Sequence, residues 1–448
     1  MGTVNPGSAR KSPVSAPSGF EVKEPMPAAY LALLAFIVVY FARPTDWISA
    51  LNMLPLGKVT GIVAAATLAI SVLSGRAPLN RLPREAFYLV LLFAQLALTV
   101  PFSPVWRGGA FEVVFLEFSK VVVMTIGIML IAKTLKRLTM LLFVQAGAVA
   151  TVSVISLLKS RLVADRLTGF LNGIYGNPND LALAVALAFP MCFAFLLRTR
   201  SRLRKIVWSF AIVTMVGVVV LTYSRAGLLA LLVAGGVCLW EFGVKGRRQY
   251  LVVVAAVAGF GVLILAGSAN YAKRIETIFE PNEDATGSAQ ARKYLLKTSI
   301  KVSLEHPLFG VGPGNFEIVS GAWRETHNTY TQLSSEAGIA ALILFLLIMR
   351  RGFINIRETK RLVRGKPEEQ LFATALGASF ASFAVGSLFA SAAYQFFPYF
   401  LVGYTSALRA IAGTEATAPS ELNQPPQEAG FRGTAYRSQV PKVTLGAY

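Results

Sequence analysis

The chain holds two histidines, His306 and His327, and both fall in one polar interval, about 267–338, inside an otherwise apolar sequence. Imidazole is the side chain that gains and loses a proton near neutral pH. His327 opens HNTYTQLSSEAG, which runs directly into the apolar IAALILFLLIM. A histidine at such a boundary is either a proton acceptor or a structural residue. His306, followed by Pro307, reads as a turn or cap. Arg225, in LTYSRAGLLALL, stands between two apolar runs with almost no loop to hold it. An arginine near membrane depth costs about 2.5–3.5 kcal/mol on insertion scales, so it faces a polar cavity or a partner, or it snorkels from an outer turn to headgroups. In GNPNDLALAVALAFP, Asn177, Asn179 and Asp180 precede an apolar helix. There they either cap its first turn or line the mouth of a cavity and bind polar ligand groups.

The same polar interval contains SAQARKYLLKTSIKVSLEH, with Leu296, Ile300 and Leu304 at spacings of four. This is one stripe of an amphipathic helix. It is expected to face inward and to carry Arg292, one turn earlier, with it. The glycines of HPLFGVGPGNF (Gly310, Gly312, Gly314) permit tight turns and close backbone approach. No strand precedes them and no Gly-Lys-Ser or Gly-Lys-Thr follows, which excludes dinucleotide and P-loop phosphate binding. Cys192 and Cys238 each sit inside an apolar run and read as small hydrophobes rather than as a disulfide or metal pair.

The elements that must position these residues are membrane helices. Of 448 residues, 54% are hydrophobic and 15% charged, with a mean hydropathy of +0.57, against about a quarter charged in an ordinary soluble domain. The formal net charge of +20 would suit nucleic acid, but the basic residues come in short clusters between apolar runs. That is how loops of membrane proteins look, and no nucleic-acid partner is expected. A bilayer needs about 17–25 residues per helix. Apolar runs near that length lie at about 27–42, 59–74, 86–101, 113–132, 138–158, 180–197, 206–222, 226–241, 250–267, 333–349, 371–390 and 394–410. The expected fold is therefore an all-α polytopic membrane protein with about 12 transmembrane helices. Nine of them fall in 27–267 and three in 333–410, with one large loop containing short helices at 268–332. In the fourth run, Glu117 and Lys120 mark either an interfacial helix or a face turned to the bundle interior. Residues 1–26 and 411–448 read as disordered tails. The first run lacks a small-residue cleavage site and reads as an anchor.

Lys and Arg in the short connections set the orientation. Arg76, Arg81 and Arg84, the trio Lys133, Lys136 and Arg137, and the clusters at 198–205, 245–248 and 350–366 share one side. The opposite connections hold only Arg43, Lys58, Arg107, Lys159, Arg161, Arg166 and Arg225. Both termini are thus expected in the cytoplasm and the large loop outside it.

HPLFGVGPGNF followed by HNTYTQLSSEAG resembles the signature of the O-antigen ligase and polymerase superfamily. GNPNDLALAVALAFP and TYSRAGLLAL resemble its two upstream segments, and FARPTDW resembles a start common in many members. The likeness runs from about 27 to 410. It implies a GT-C-like bundle in the bacterial inner membrane, with the large loop periplasmic, that takes a glycan from an undecaprenyl-diphosphate carrier. The acceptor would be lipid A–core, a growing glycan or a protein. In such enzymes a histidine at the end of the loop activates the acceptor hydroxyl, and two arginines bind the diphosphate. Carried over, the histidine is His327, the turn arginine Arg225 and the loop arginine Arg292, with Arg274 as the competitor. Asn177, Asn179, Asp180, Asn328 and Glu336 are supporting candidates. The chemistry agrees: an arginine fork matches phosphate oxygens, and a positioned general base contributes roughly 10²–10⁴-fold. The first outer loop offers only Asp46, with no Asp-x-Asp, and Glu283 and Asp284 read as a solvated pair. A metal-independent, cofactor-free reaction is therefore expected. A secondary transporter is the reading from another class, and a scaffold with a dead site is a third.

Overall fold

The computed structural model describes residues 26–159, 162–163, 166–169, 173–251 and 288–417. The expected tails (apart from Met26 and the start of the second), nearly all of the ninth span, Arg274, Glu283 and Asp284 lie outside them. The helices are α1 (Pro27–Ala42), α2 (Leu56–Leu73), α3 (Arg84–Phe102), α4 (Arg107–Ile131), α5 (Leu135–Lys159), α6 (Pro178–Arg198), α7 (Arg202–Leu221), α8 (Arg225–Val244), α9 (Ser288–Glu305), α10 (Thr329–Leu362), α11 (Pro367–Gly386) and α12 (Phe396–Thr417). Between α5 and α6, Leu162–Val163 pairs antiparallel with Arg166–Leu167.

Among the described residues, eight helices are long and apolar enough to cross a membrane: α2 to α8 and α10. α1 is apolar but shorter. α11 and α12 form where the last two spans were expected without belonging to the eight, because their faces carry polar groups such as Ser379, Ser382, Thr405 and Arg409. The chain is an all-α polytopic membrane protein.

The centre of the bundle is α6 with α8 and α11 against it; 78% of the most apolar window of α6 is buried, against 17% for α2. Without water to expel, membrane helices associate by close packing and interhelical hydrogen bonds, and these three show both. A Cβ on Gly227 would stand 2.2 Å from that of Ala182, and one on Gly386 would stand 2.4 Å from Leu183 Cδ1. Ser379 donates to Leu187 O at 2.7 Å, and Ser382 to Ala230 O at 2.8 Å. On the far side of the bundle α3 is pinned to α10, where Glu85, 1% exposed, accepts from Asn355 Nδ2 at 2.6 Å and Arg351 Nε at 3.3 Å.

α10 is not continuous. Gly338 has φ 85° and ψ 171°, outside any helix, and the carbonyls this break frees are taken up by the glycine loop. Val311 N donates to Ser335 O at 2.9 Å, Gly312 N to Glu336 O at 2.8 Å, and Ile339 N to Pro307 O at 2.8 Å. Backbone groups at membrane depth require such replacement partners. The approach explains the glycines: Cβ atoms on Gly310 and Gly338 would stand 2.3 Å from Glu336 C and Leu308 O. In α4, a π-helical turn at Glu112–Phe118 turns Glu117 and Lys120 outward as an exposed pair at 3.1 Å. They face the bundle exterior, in a groove against α2 that Lys58 and Glu112 also line. The interior-facing reading of these two charges is thus corrected.

Candidate functional site

The first turns of α6 and α8 meet. Asn177 caps α6, its side chain accepting from Asn179 N at 2.9 Å. Ser224 caps α8, accepting from Gly227 N at 3.1 Å, and Arg225 is the first helical residue after it. Asn179 Oδ1 receives both the Ser224 hydroxyl at 2.8 Å and Arg166 Nη2 at 3.0 Å. Arg166 also donates to Thr222 O at 2.9 Å, so the small hairpin clamps the turn that presents Arg225. Pro178 suits the start of α6, since its missing N–H is one the helix could not use.

The first turn of α10 is clasped by the connection between α11 and α12. Thr329 N donates to Ser387 O at 2.9 Å and its hydroxyl to Ala390 O at 2.7 Å. Ala393 N donates to Gln332 Oε1 at 3.2 Å. Asn328 caps this helix, accepting from Tyr330 N and Thr331 N at 3.0 and 3.1 Å, and donates to Leu388 O at 3.2 Å. His327, just ahead of the cap, has φ 52° and donates its N–H to Ser391 Oγ at 2.9 Å. The ring is held out of the helix and is half-buried. Burial first, then the Arg292 and Arg324 charges, pull its pKa down to about 4, so the imidazole is neutral at neutral pH.

Arg292 thus stands close enough to His327 to act on it, although the helix face that carries it inward is not the expected one. Leu296, Ile300 and Leu304 are exposed, and α9 buries Leu295, Ser299, Val302 and Ser303 instead. Small serines let α9 approach α10, and Ser303 Oγ meets Ser334 Oγ at 2.8 Å. Arg292 also lies three residues before Leu295, on the edge of this second stripe, and so still turns toward the site. His306 is exposed and forms the end of α9, its carbonyl accepting from Gly310 N at 2.9 Å.

Three groups were not singled out in the sequence. Glu325 is open to solvent yet has protein on most sides. Burial and then the Glu317 charge push its carboxyl up to about 7, against a hydrogen bond from Ser391. Its charge also reaches Asp180 and Glu336. Arg324 acts on His327. Ser391 serves His327 and Glu325 together. Glu336, 3% exposed, receives the Tyr394 hydroxyl at 2.9 Å and the N–H groups of Gly314 and Phe316, and so anchors the glycine loop. Among the described residues no three His, Cys, Asp or Glu side chains gather as a metal site requires.

The first turns of α6, α8 and α10 all lie at one end of the bundle, where Gly386 of α11 packs against Leu183 and Ala230. Residues 210–346 match the family model described as O-antigen ligase, and this match supports the O-antigen ligase superfamily. Arg225, Arg292 and His327 all fall inside the matched segment. No curated protein matches the chain.

Proposed function

We propose that the protein is a bacterial inner-membrane glycosyltransferase of the O-antigen ligase type. It moves a glycan from undecaprenyl diphosphate to an acceptor hydroxyl at the periplasmic face, without a metal, within a GT-C-like bundle whose termini are cytoplasmic. The observation that carries this reading is the neutral His327 with the Arg292 and Arg324 charges upon it. A neutral imidazole takes the acceptor's proton as its oxygen attacks the anomeric carbon. The glycosidic C–O bond breaks, and the diphosphate leaves with charge that arginines hold in place. Arg225 and Arg292 are the diphosphate ligands in this scheme. Helix N-termini add positive partial charge at the same end. Donor binding also sharpens the base: a diphosphate on Arg292 cancels the part of the depression at His327 that this charge causes. Asn177 and Asn328 act as caps, Asn179 as a tether for Arg225 and Glu336 as an anchor, and the Glu325 charge acts on Asp180.

The test is genetic. A deletion strain receives wild type, His327→Ala, Arg225→Ala or Arg292→Ala, and surface glycans and lipopolysaccharide are compared on gels. Loss of long glycan with accumulation of carrier-linked repeats is expected. Full activity of all three variants at normal expression would sink the mechanism. Core bearing a single repeat instead of bare core would make the enzyme a polymerase on the same donor site. Loss of glycan from a protein alone would make it a protein O-oligosaccharyltransferase.

A further inference from the structure

The outward stripe of α9 is a surface in its own right: Leu296, Ile300 and Leu304 are 38%, 47% and 71% exposed, and Leu308 extends the row at 70%. A helix in water is not expected to show such a row, and three observations say what covers it. The first is depth. Gln95 Nε2 donates to Leu308 O at 2.9 Å and to Ala337 O at 3.1 Å. Gln95 lies about two turns, roughly 10 Å of rise, before Phe102 at the end of α3, within a helix apolar enough to cross a membrane. The end of α9 therefore stands level with the inside of a spanning helix. The second is continuity. The Phe309 ring stacks on Phe102 at 4.4 Å, and Phe102 and Leu98 are exposed on α3. The stripe thus runs into the outward face of a membrane helix without a polar break. The third is charge. Lys293, Lys297 and Lys301 are exposed alongside the stripe at spacings of four, and Lys301 lies 3.7 Å from the Glu305 carboxylate. Lysines bordering an apolar stripe are the pattern of a helix lying in the headgroup plane, ammonium groups on lipid phosphates.

We propose that α9 is seated in the loop-side leaflet of the bilayer, with Leu296, Ile300, Leu304 and Leu308 among acyl chains and Lys293, Lys297 and Lys301 on phospholipid headgroups. The occupant is lipid, and the inference holds whatever reaction the protein performs. It sets Arg292, on the opposite edge of α9, at headgroup height, the level of any lipid-borne phosphate.

The full chain, with Cys192→Ala and Cys238→Ala, is reconstituted into vesicles of phosphatidylethanolamine and phosphatidylglycerol. It carries one bimane-labelled cysteine from Ile300→Cys, Leu304→Cys or Leu308→Cys, or from Glu305→Cys for comparison. The three stripe positions are read independently, so misfolding of one variant leaves the others. Brominated acyl chains should quench the label at 300, 304 and 308 and leave 305 bright, while iodide should do the reverse. Iodide quenching along the stripe equal to that at 305 would mean a water-facing helix and overturn the proposal. Protection from both quenchers would mean a protein partner or a second copy, and would overturn it equally.

Discussion

The Ser224 hydroxyl donates to Asn179 Oδ1 over 2.8 Å, tying the residue that caps α8 to the first turn of α6. Arg225 follows directly, so this bond fixes where its side chain begins. Asn179→Ala and Ser224→Ala should each lower stability by about 1–2 kcal/mol, through a lost cap or a stranded buried partner. Both should reduce glycan transfer at normal expression. Ser224→Thr keeps the cap oxygen and should retain most of both properties. Thermal melts in detergent, read beside glycan gels, check this.

His327 titrates at about 4 rather than its ordinary 6.5. A rate that needs the neutral ring is therefore flat with respect to this group from pH 5 to 8 and falls only as pH drops through about 4. Stability carries the same sign. The unfolded chain binds the proton that the folded chain refuses, so this contribution is complete above 6.5 and is lost as pH falls toward 4. Arg292→Gln and Arg324→Gln remove charges that hold the value down, and each should move the acid limb of the pH–rate profile upward.

Glu325 titrates at about 7, so it gains charge through the neutral range. An ionised Glu325, two residues before His327, repels a diphosphate held beside that ring, and KM for the lipid-linked donor should rise as pH passes through about 7. In Glu325→Gln that rise should vanish while kcat changes little. Proteoliposome kinetics at several pH values show whether the dependence survives the substitution.

Glu85 is buried between Arg351 and Asn355. Removing one member of a buried charge pair leaves the other uncompensated, at about 3–5 kcal/mol. Glu85→Ala should therefore lower the melting temperature far more than a lipid-facing substitution such as Leu91→Ala. The double variant Glu85→Leu with Arg351→Leu should recover much of the loss.

Gly338→Ala meets two obstacles: a φ of 85° that L side chains rarely adopt, and a carbonyl oxygen 2.3 Å from the new Cβ. Strained backbone costs about 1–3 kcal/mol per residue, and the clash adds to it. Hydrogen exchange should rise at Val311, Gly312 and Ile339, whose N–H groups depend on the break. Unchanged protection there would show that the loop does not rest on α10 as described.

Much of this was legible in the sequence. Hydropathy marked the eight helices that are long and apolar enough to cross a membrane, among the twelve runs expected, and Asn-Pro-Asn marked the capped start of α6. The stripe of α9 was misassigned for a physical reason. Leu296, Ile300 and Leu304 are more apolar than Leu295, Ser299 and Val302, yet serine packs closer to a neighbouring helix than leucine does, and hydropathy does not score closeness. The break at Gly338 was invisible because the residues around it, Glu-Ala-Gly-Ile-Ala-Ala, look like uninterrupted helix. The 387–395 connection acts through carbonyls and one serine, so it carries no chemical signature. Glu325 and Arg324 belong to no motif or spacing that would single them out.

The clasp around the first turn of α10 limits how the protein can be dissected. The segment shared with the O-antigen ligase family ends at 346, but the atoms that orient His327 come from Ser387, Ala390 and Ser391. The inherited segment is thus not a folding unit. A fragment cut to 210–346 would keep Arg225, Arg292 and His327 and lose the contacts that hold His327 in place. Complementation by two co-expressed halves should succeed only where the C-terminal piece brings the α11–α12 connection with it.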